Sequence, residues 1–82
     1  METMIVNEPI DVGAVFAKNT VKPKWFVWNT KKHAITEVSY LWKDKEGEAD
    51  ILHFSVNDGA TMFELSLNQK TLQWRLERTM ME

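Results

Sequence analysis

The chain has 82 residues, 44% of them apolar, ten Lys and Arg against twelve Asp and Glu, and no cysteine. This is one domain with a modest core, and a disulfide framework, a thiolate metal site and a cysteine nucleophile are excluded. No apolar run approaches the roughly 20 residues of a membrane-spanning helix, and the N-terminal METMIVNEPI lacks the basic and long apolar regions of a secretion signal, so a cytoplasmic protein with no membrane partner is expected.

Residues 1–8 read as a flexible tail, 9–79 as a single β domain and 80–82 as a second short tail. Residues 9–17 alternate Ile10, Val12, Ala14 and Phe16 and read as a first strand. Pro23 suits a strand start, and the strand over 24–29 carries Trp25-Phe26-Val27-Trp28, apolar on both faces. Trp25 and Trp28 have opposite strand parity, so only one of them points fully into a simple core. The other is exposed or covered by residues 1–18. Asn29-Thr30-Lys31 is the next connection. Ile35 and Val38 are three apart and cannot share a face of a regular strand, which predicts a bulge or bend near Thr36-Glu37.

From Val38 onward the apolar residues recur every second position. Lys45-Glu46-Gly47 suits a three-residue loop, pairing Trp42 with Asp50, Tyr40 with Leu52 and Val38 with Phe54. Asp58-Gly59 suits a two-residue loop, pairing Phe54 with Phe63 and Leu52 with Leu65. Asn68-Gln69-Lys70-Thr71 suits a four-residue loop, pairing Leu67 with Leu72, Leu65 with Trp74 and Phe63 with Leu76. The inner rows are then Tyr40, Leu52, Leu65, Trp74 and Val38, Phe54, Phe63, Leu76. Only the first 30 residues are left to cover them. The expected fold is all-β: an antiparallel meander of five to six strands, strongly bent into a small SH3-like or OB-like barrel.

Charge is unevenly spread along the chain. Residues 18–45 hold seven lysines against Glu37 and Asp44, while 46–82 hold Lys70, Arg75 and Arg78 against seven carboxylates. The basic stretch is interleaved with aromatics: Lys22, Lys24, Trp25, Phe26, Trp28, Lys31, Lys32, His33, then Tyr40, Trp42, Lys43 and Lys45. Basic grooves with stacking aromatics on small barrels bind single-stranded nucleic acid, and exposed aromatic patches also mark protein interfaces. Lys22, Lys24, Trp25, Trp28, Lys31 and Lys32 are therefore the candidate nucleic-acid or partner-binding residues. The plainer reading makes Trp bulky core and Lys a solubilising edge residue.

The expected register also sets Ser39, His53, Glu64 and Arg75 side by side on the outer face. His53, Glu64 and Arg75 can orient a phosphate or act as an acid–base pair; the plainer reading is a surface charge ladder. His33 and His53 lie twenty residues apart without metal-type spacing. Gly13, Gly47 and Gly59 form no phosphate loop, and no Ser or Thr sits in a nucleophile-elbow pattern. No catalytic residue, metal or cofactor is expected.

The order Phe26-Val27-Trp28, Ile35-Thr36-Glu37-Val38, Trp42, Phe63-Glu64-Leu65 and Trp74-Arg75-Leu76-Glu77 resembles an uncharacterised family of small bacterial domains of unknown function. The resemblance spans Pro23 to Glu77. Its members usually have Gly-Arg-Arg-Tyr where this chain has Thr30-Lys31-Lys32-His33. Some resemble domains beside, or fused to, accessory proteins of lesion-bypass DNA polymerases, which implies a link to DNA repair and no catalytic residue. The favoured expectation is a non-catalytic module binding single-stranded nucleic acid or a DNA-repair-associated protein. The alternatives are a small ligand-binding or enzymatic barrel using the His53, Glu64, Arg75 row, and an oligomerising domain forming a homodimer through an edge strand.

Overall fold

The computed structural model describes residues 2–81; Met1 and Glu82, expected in the two tails, lie outside the described residues. Seven strands, β1 (Glu2–Ala17), β2 (Thr20–Trp28), β3 (Lys31–Ala34), β4 (Glu37–Glu46), β5 (Ala49–Asn57), β6 (Met62–Asn68) and β7 (Trp74–Met81), form one antiparallel sheet. Their order across it is β3-β2-β1-β7-β6-β5-β4. The architecture is all-β as expected, with seven strands in place of five or six. No helix among the described residues is long and apolar enough to cross a membrane.

β1 joins the two halves of the sheet. Its first part pairs with β7, from Glu2 opposite Met81 to Ile10 opposite Trp74, and its second part pairs with β2, from Asp11 opposite Val27 to Ala17 opposite Thr20. Residues 2–8, expected as a tail, are therefore strand. Register shifts between Ile5 and Glu8 and between Gly13 and Ala14 bend β1. The bend folds β2 and β3 over the inner face of β5, β6 and β7. The core lies between: Phe26 from β2, Phe54 and Val56 from β5, Phe63, Leu65 and Leu67 from β6, and Leu76 from β7. Phe26 meets Phe63 edge-on, with ring centroids 5.0 Å apart. Each fully buried side chain of this size stabilises the fold by about 1.5–3 kcal/mol.

The sheet does not close into a barrel. β3 covers only Trp25–Trp28 of β2, leaving Thr20–Lys24 without a strand partner on that side. The chain then crosses directly to β4 through Ile35 and Thr36. Ile35 N–H donates to the Lys24 carbonyl (2.9 Å), and Thr36 donates to the Asn57 carbonyl through both its N–H (2.8 Å) and its hydroxyl (3.0 Å). The open seam is an apolar groove with Val21, Pro23, Ile35, Val38 and Leu41 on its walls.

The three predicted loops are each displaced, with different consequences. The β5–β6 loop is Asp58–Thr61 rather than Asp58-Gly59 alone, because Asp58 Oδ1 accepts from the N–H groups of Ala60 and Thr61, both at 2.9 Å. Phe54 therefore faces Leu65 rather than Phe63. The β6–β7 loop runs through Gln73, its turn held by Asn68 Oδ1 accepting from Lys70 N–H at 2.9 Å and Thr71 N–H at 3.1 Å. Leu72, expected on the inner face, lies in this loop at φ 64° and is 67% exposed. Both changes move the pairing next to the loop by two residues, which keeps the adjoining strand residues on their expected faces, and a further shift between Glu64 and Leu65 sets Phe63 opposite Thr79.

The β4–β5 loop is different. Gly47-Glu48 makes a two-residue turn, with Gly47 at φ 62° and Glu46 opposite Ala49. The register moves by three and turns β4 over. Tyr40, expected in an inner row, and Trp42, of the same strand parity, point outward opposite Ser55 and His53, while Leu41 lies opposite Phe54. A shift between Val38 and Tyr40, at Ser39, brings Val38 back opposite Val56 on the inner face. The expected break near Thr36-Glu37 is thus split between the Ile35-Thr36 crossing and the Ser39 bulge.

Candidate functional site

Two surfaces carry the predicted residues. The first is the face of β2 and β3. Trp28 turns inward and packs on the core, 6.5 Å from Phe63. Its indole nitrogen is buried without a hydrogen-bond partner. Trp25 turns outward and lies across Gly13, its cross-strand neighbour; a Cβ at Gly13 would overlap the indole. Lys32 Nζ stands 4.8 Å from the centre of the Trp25 ring, a cation–π contact. The register sets Lys22 and Lys32 on the Trp25 side of the sheet. Lys31 is opposite Trp28, and Lys24 is the extra residue of the bulge facing Gly13 and Ala14. All four lysines are exposed.

The electrostatics of this half follow from what it lacks. No carboxylate occurs between Asp11 and Glu37, a stretch holding Lys18, Lys22, Lys24, Lys31 and Lys32. Among the described residues, none of these five lysines makes an ion pair; the pairs are His33–Asp58, Lys45–Asp50, His53–Glu64, Lys70–Glu48 and Arg78–Glu64. The chain is acidic overall, yet this half holds five lysines without an ion-pair partner, with Asp11 in the cross-strand row of Val27 and Lys32 and Glu37 on the groove wall beside Lys22 and Lys24.

The second surface is the outer face of β4 to β7. The expected row Ser39, His53, Glu64, Arg75 is replaced by Trp42, His53, Ser66, Arg75, because each loop shifted the register. His53 and Glu64 still meet diagonally, Nδ1 to Oε2 at 3.4 Å, and Arg78 rather than Arg75 brings its Nε to 3.2 Å from Glu64 Oε1. Neither nitrogen is aligned for a hydrogen bond, so these are electrostatic contacts. Arg75 instead grips Asn7 in the β1 bulge: Nε and Nη2 donate to Oδ1 at 3.1 and 2.8 Å, and Nη2 to the carbonyl at 2.7 Å. His53 and Arg75 nevertheless border one concavity of about 550 Å³. Trp42 stacks on His53 from the other side, with ring centroids 5.1 Å apart and planes 6° from parallel.

A third pairing, His33 with Asp58, was not expected from the sequence. His33 stacks on Phe26 with centroids 4.8 Å apart, and its Nδ1 lies 3.0 Å from Asp58 Oδ2. Burial acts to raise the pKa of Asp58. The hydrogen bond to His33, those from the Ala60 and Thr61 N–H groups, and the charge of His33 outweigh it and hold the carboxyl below its ordinary value. The pair ties β3 to the β5–β6 loop across the seam. Residues 25 apart in sequence carry no local pattern that would announce it.

No family model, curated protein or solved structure shows significant similarity to this chain. Its function rests on the geometry of these surfaces.

Proposed function

We propose that this protein is a non-catalytic binding module, acting in the cytoplasm, whose β2–β3 face takes a single-stranded nucleic acid. The observation that carries the reading is the set of five lysines without an ion-pair partner on this half, of which Lys22 and Lys32 share the face of the outward Trp25. Phosphates would displace counterions along Lys22, Lys24, Lys31 and Lys32. A base can then exchange with Lys32 for the face of Trp25, since base–aromatic stacking is worth about 1–3 kcal/mol. Residues 23–77 resemble an uncharacterised family of small bacterial domains, some of which resemble domains beside lesion-bypass polymerase accessory proteins, and this supports DNA as the strand to try first.

Titration with single-stranded DNA at several salt concentrations tests this. Four neutralised phosphates give a log–log slope of about −3, from roughly −0.7 for each phosphate on a single strand. Lys31→Ala with Lys32→Ala should bring the slope to about −1.5 by the same scale. A slope near zero, or binding untouched by the lysine changes, overturns the reading.

A second reading, pairing of two copies through β4, rests on that strand alone. All ten residues of β4 are exposed, including Val38, Tyr40, Leu41 and Trp42 at 40%, 70%, 57% and 40%. Its outer edge has no partner in the sheet. Such edges are templates for pairing with another chain. A mass measured in solution at the monomer value across concentration removes this reading.

A further inference from the structure

The concavity on the outer face of β4 to β7 is a built site of a different chemistry. We propose that it binds an uncharged planar heterocycle of the nucleobase kind, stacked between the His53 ring and the Arg75 guanidinium above Ser66. The inference does not rest on the lysine face.

Its electrostatics reject polyanions. Asp44, Glu46 and Glu77 border the concavity against Lys45 and Arg75, so a phosphate chain meets more negative charge than positive. Among the described residues, no group of three or more His, Asp or Glu could hold a metal ion. Apart from Ile51, the residues that border it are polar, which disfavours an aliphatic ligand. What remains is a neutral ligand with donors and acceptors on its edge.

The walls select a flat one. His53 is braced on one ring face by Trp42, so its plane is held. The three hydrogen bonds to Asn7 fix the Arg75 guanidinium, itself planar. His53 and Arg75 both lie opposite Ser66, one strand to either side. Two strand spacings separate them by about 9.6 Å at the backbone. A ring sandwiched between two planar groups needs about 7 Å, two contacts of roughly 3.5 Å. Ser66 is small enough to leave that space, and its hydroxyl donates to Glu77 Oε2 at 2.6 Å, which orients a carboxylate toward ligand N–H groups. The amides of Asn68 and Gln73 border the open end and supply further donors and acceptors.

The test is a two-dimensional amide NMR titration of the whole chain with adenosine at millimolar concentration, with glucose in parallel. Adenosine should shift His53, Ser66 and Arg75, and glucose should not. His53→Ala should weaken adenosine at least tenfold, the loss of one stacking partner. Should that variant fail to fold, Arg75→Gln, which gives up the guanidinium plane at a half-buried position, should weaken it by a similar factor. Lys31→Ala with Lys32→Ala should leave adenosine binding unchanged, so failure here is separable from failure of the lysine-face reading. Shifts from adenosine without matching shifts from an oligonucleotide uphold the site, and equal shifts from an oligonucleotide contradict the exclusion of polyanions and overturn it. Absence of shifts with adenosine, equal shifts with glucose, or adenosine binding indifferent to His53 and Arg75 overturns it.

Discussion

Asp58 is a single side chain on which the seam of the sheet depends, and replacing it is a sharp test of the fold. One carboxylate oxygen accepts from the N–H groups of Ala60 and Thr61, and the other meets His33 Nδ1 at 3.0 Å. Both side chains of the pair are mostly shielded, with 11% and 17% of their surface exposed. Asp58→Ala removes the two turn bonds, worth about 0.5–1.5 kcal/mol each at most, and the bond to His33, and leaves a shielded imidazole nitrogen unpartnered. The expected loss is about 2–4 kcal/mol, or at least about 10 °C in Tm for a domain of this length. Asp58→Asn keeps an oxygen for the turn but not the charge, and should lose about 1–2 kcal/mol. The pH dependence has a definite sign. Asp58 has a lowered pKa in the folded state, so its stabilisation is present above the unfolded aspartate value, near 3.9, and is lost as pH falls through the lower folded value. Urea unfolding followed by tryptophan emission, from neutral pH down to about pH 2, measures both effects. The difference between wild type and Asp58→Asn should shrink across the acid range. An Asp58→Ala variant within about 0.5 kcal/mol of wild type, or two acid profiles that fall in parallel, would refute the argument.

Two further substitutions probe the β2–β3 half. Gly13→Ala places a methyl where the Trp25 indole lies, so it should cost about 1–3 kcal/mol in urea unfolding, and much less when Trp25 is already Phe; equal costs in both backgrounds would show that the indole does not rest there. Thr30 holds φ 62° in the two-residue turn after β2, a conformation β-branched residues resist, so Thr30→Gly should raise stability by about 1 kcal/mol, and a loss on the same measurement would contradict it.

Parity explains which parts of the fold could be read in the sequence. Leu52, Phe54 and Val56 face Phe63, Leu65 and Leu67 whichever of two loop lengths Asp58 starts, since a shift of two preserves the faces. Three candidate loop residues around Gly47 offered no such protection. Placing the glycine first instead of last turned Tyr40 and Trp42 from core to surface. A strand at the edge of the sheet makes that error easy, because neither face of β4 is buried deeply enough to select a register. The opposite parity of Trp25 and Trp28 was legible, and one of them does turn in and the other out. The contacts of Asn7 with Arg75, 68 residues apart, and of His33 with Asp58 arise only from the bend in β1 and the open seam. No local pattern encodes either.

The overturned strand has a consequence beyond bookkeeping of faces. With Trp42 inside, His53 would have Ser39 rather than an indole beside it on the β4 side, and no aromatic ring would hold its plane. With Trp42 outside, the ring is clamped at 6° to the indole and becomes a wall. The charge pattern then separates the two surfaces. Lysines without acid partners lie on the half built from β2 and β3, while Asp44, Glu46 and Glu77 border the concavity on the other half. A phosphate backbone is drawn to the first and repelled by the second, whereas an uncharged base feels neither field strongly. Salt therefore discriminates them. Raising ionic strength should strip a strand from the lysine face along a steep slope and leave nucleoside binding in the concavity nearly flat; a parallel decline would mean that one surface serves both ligands.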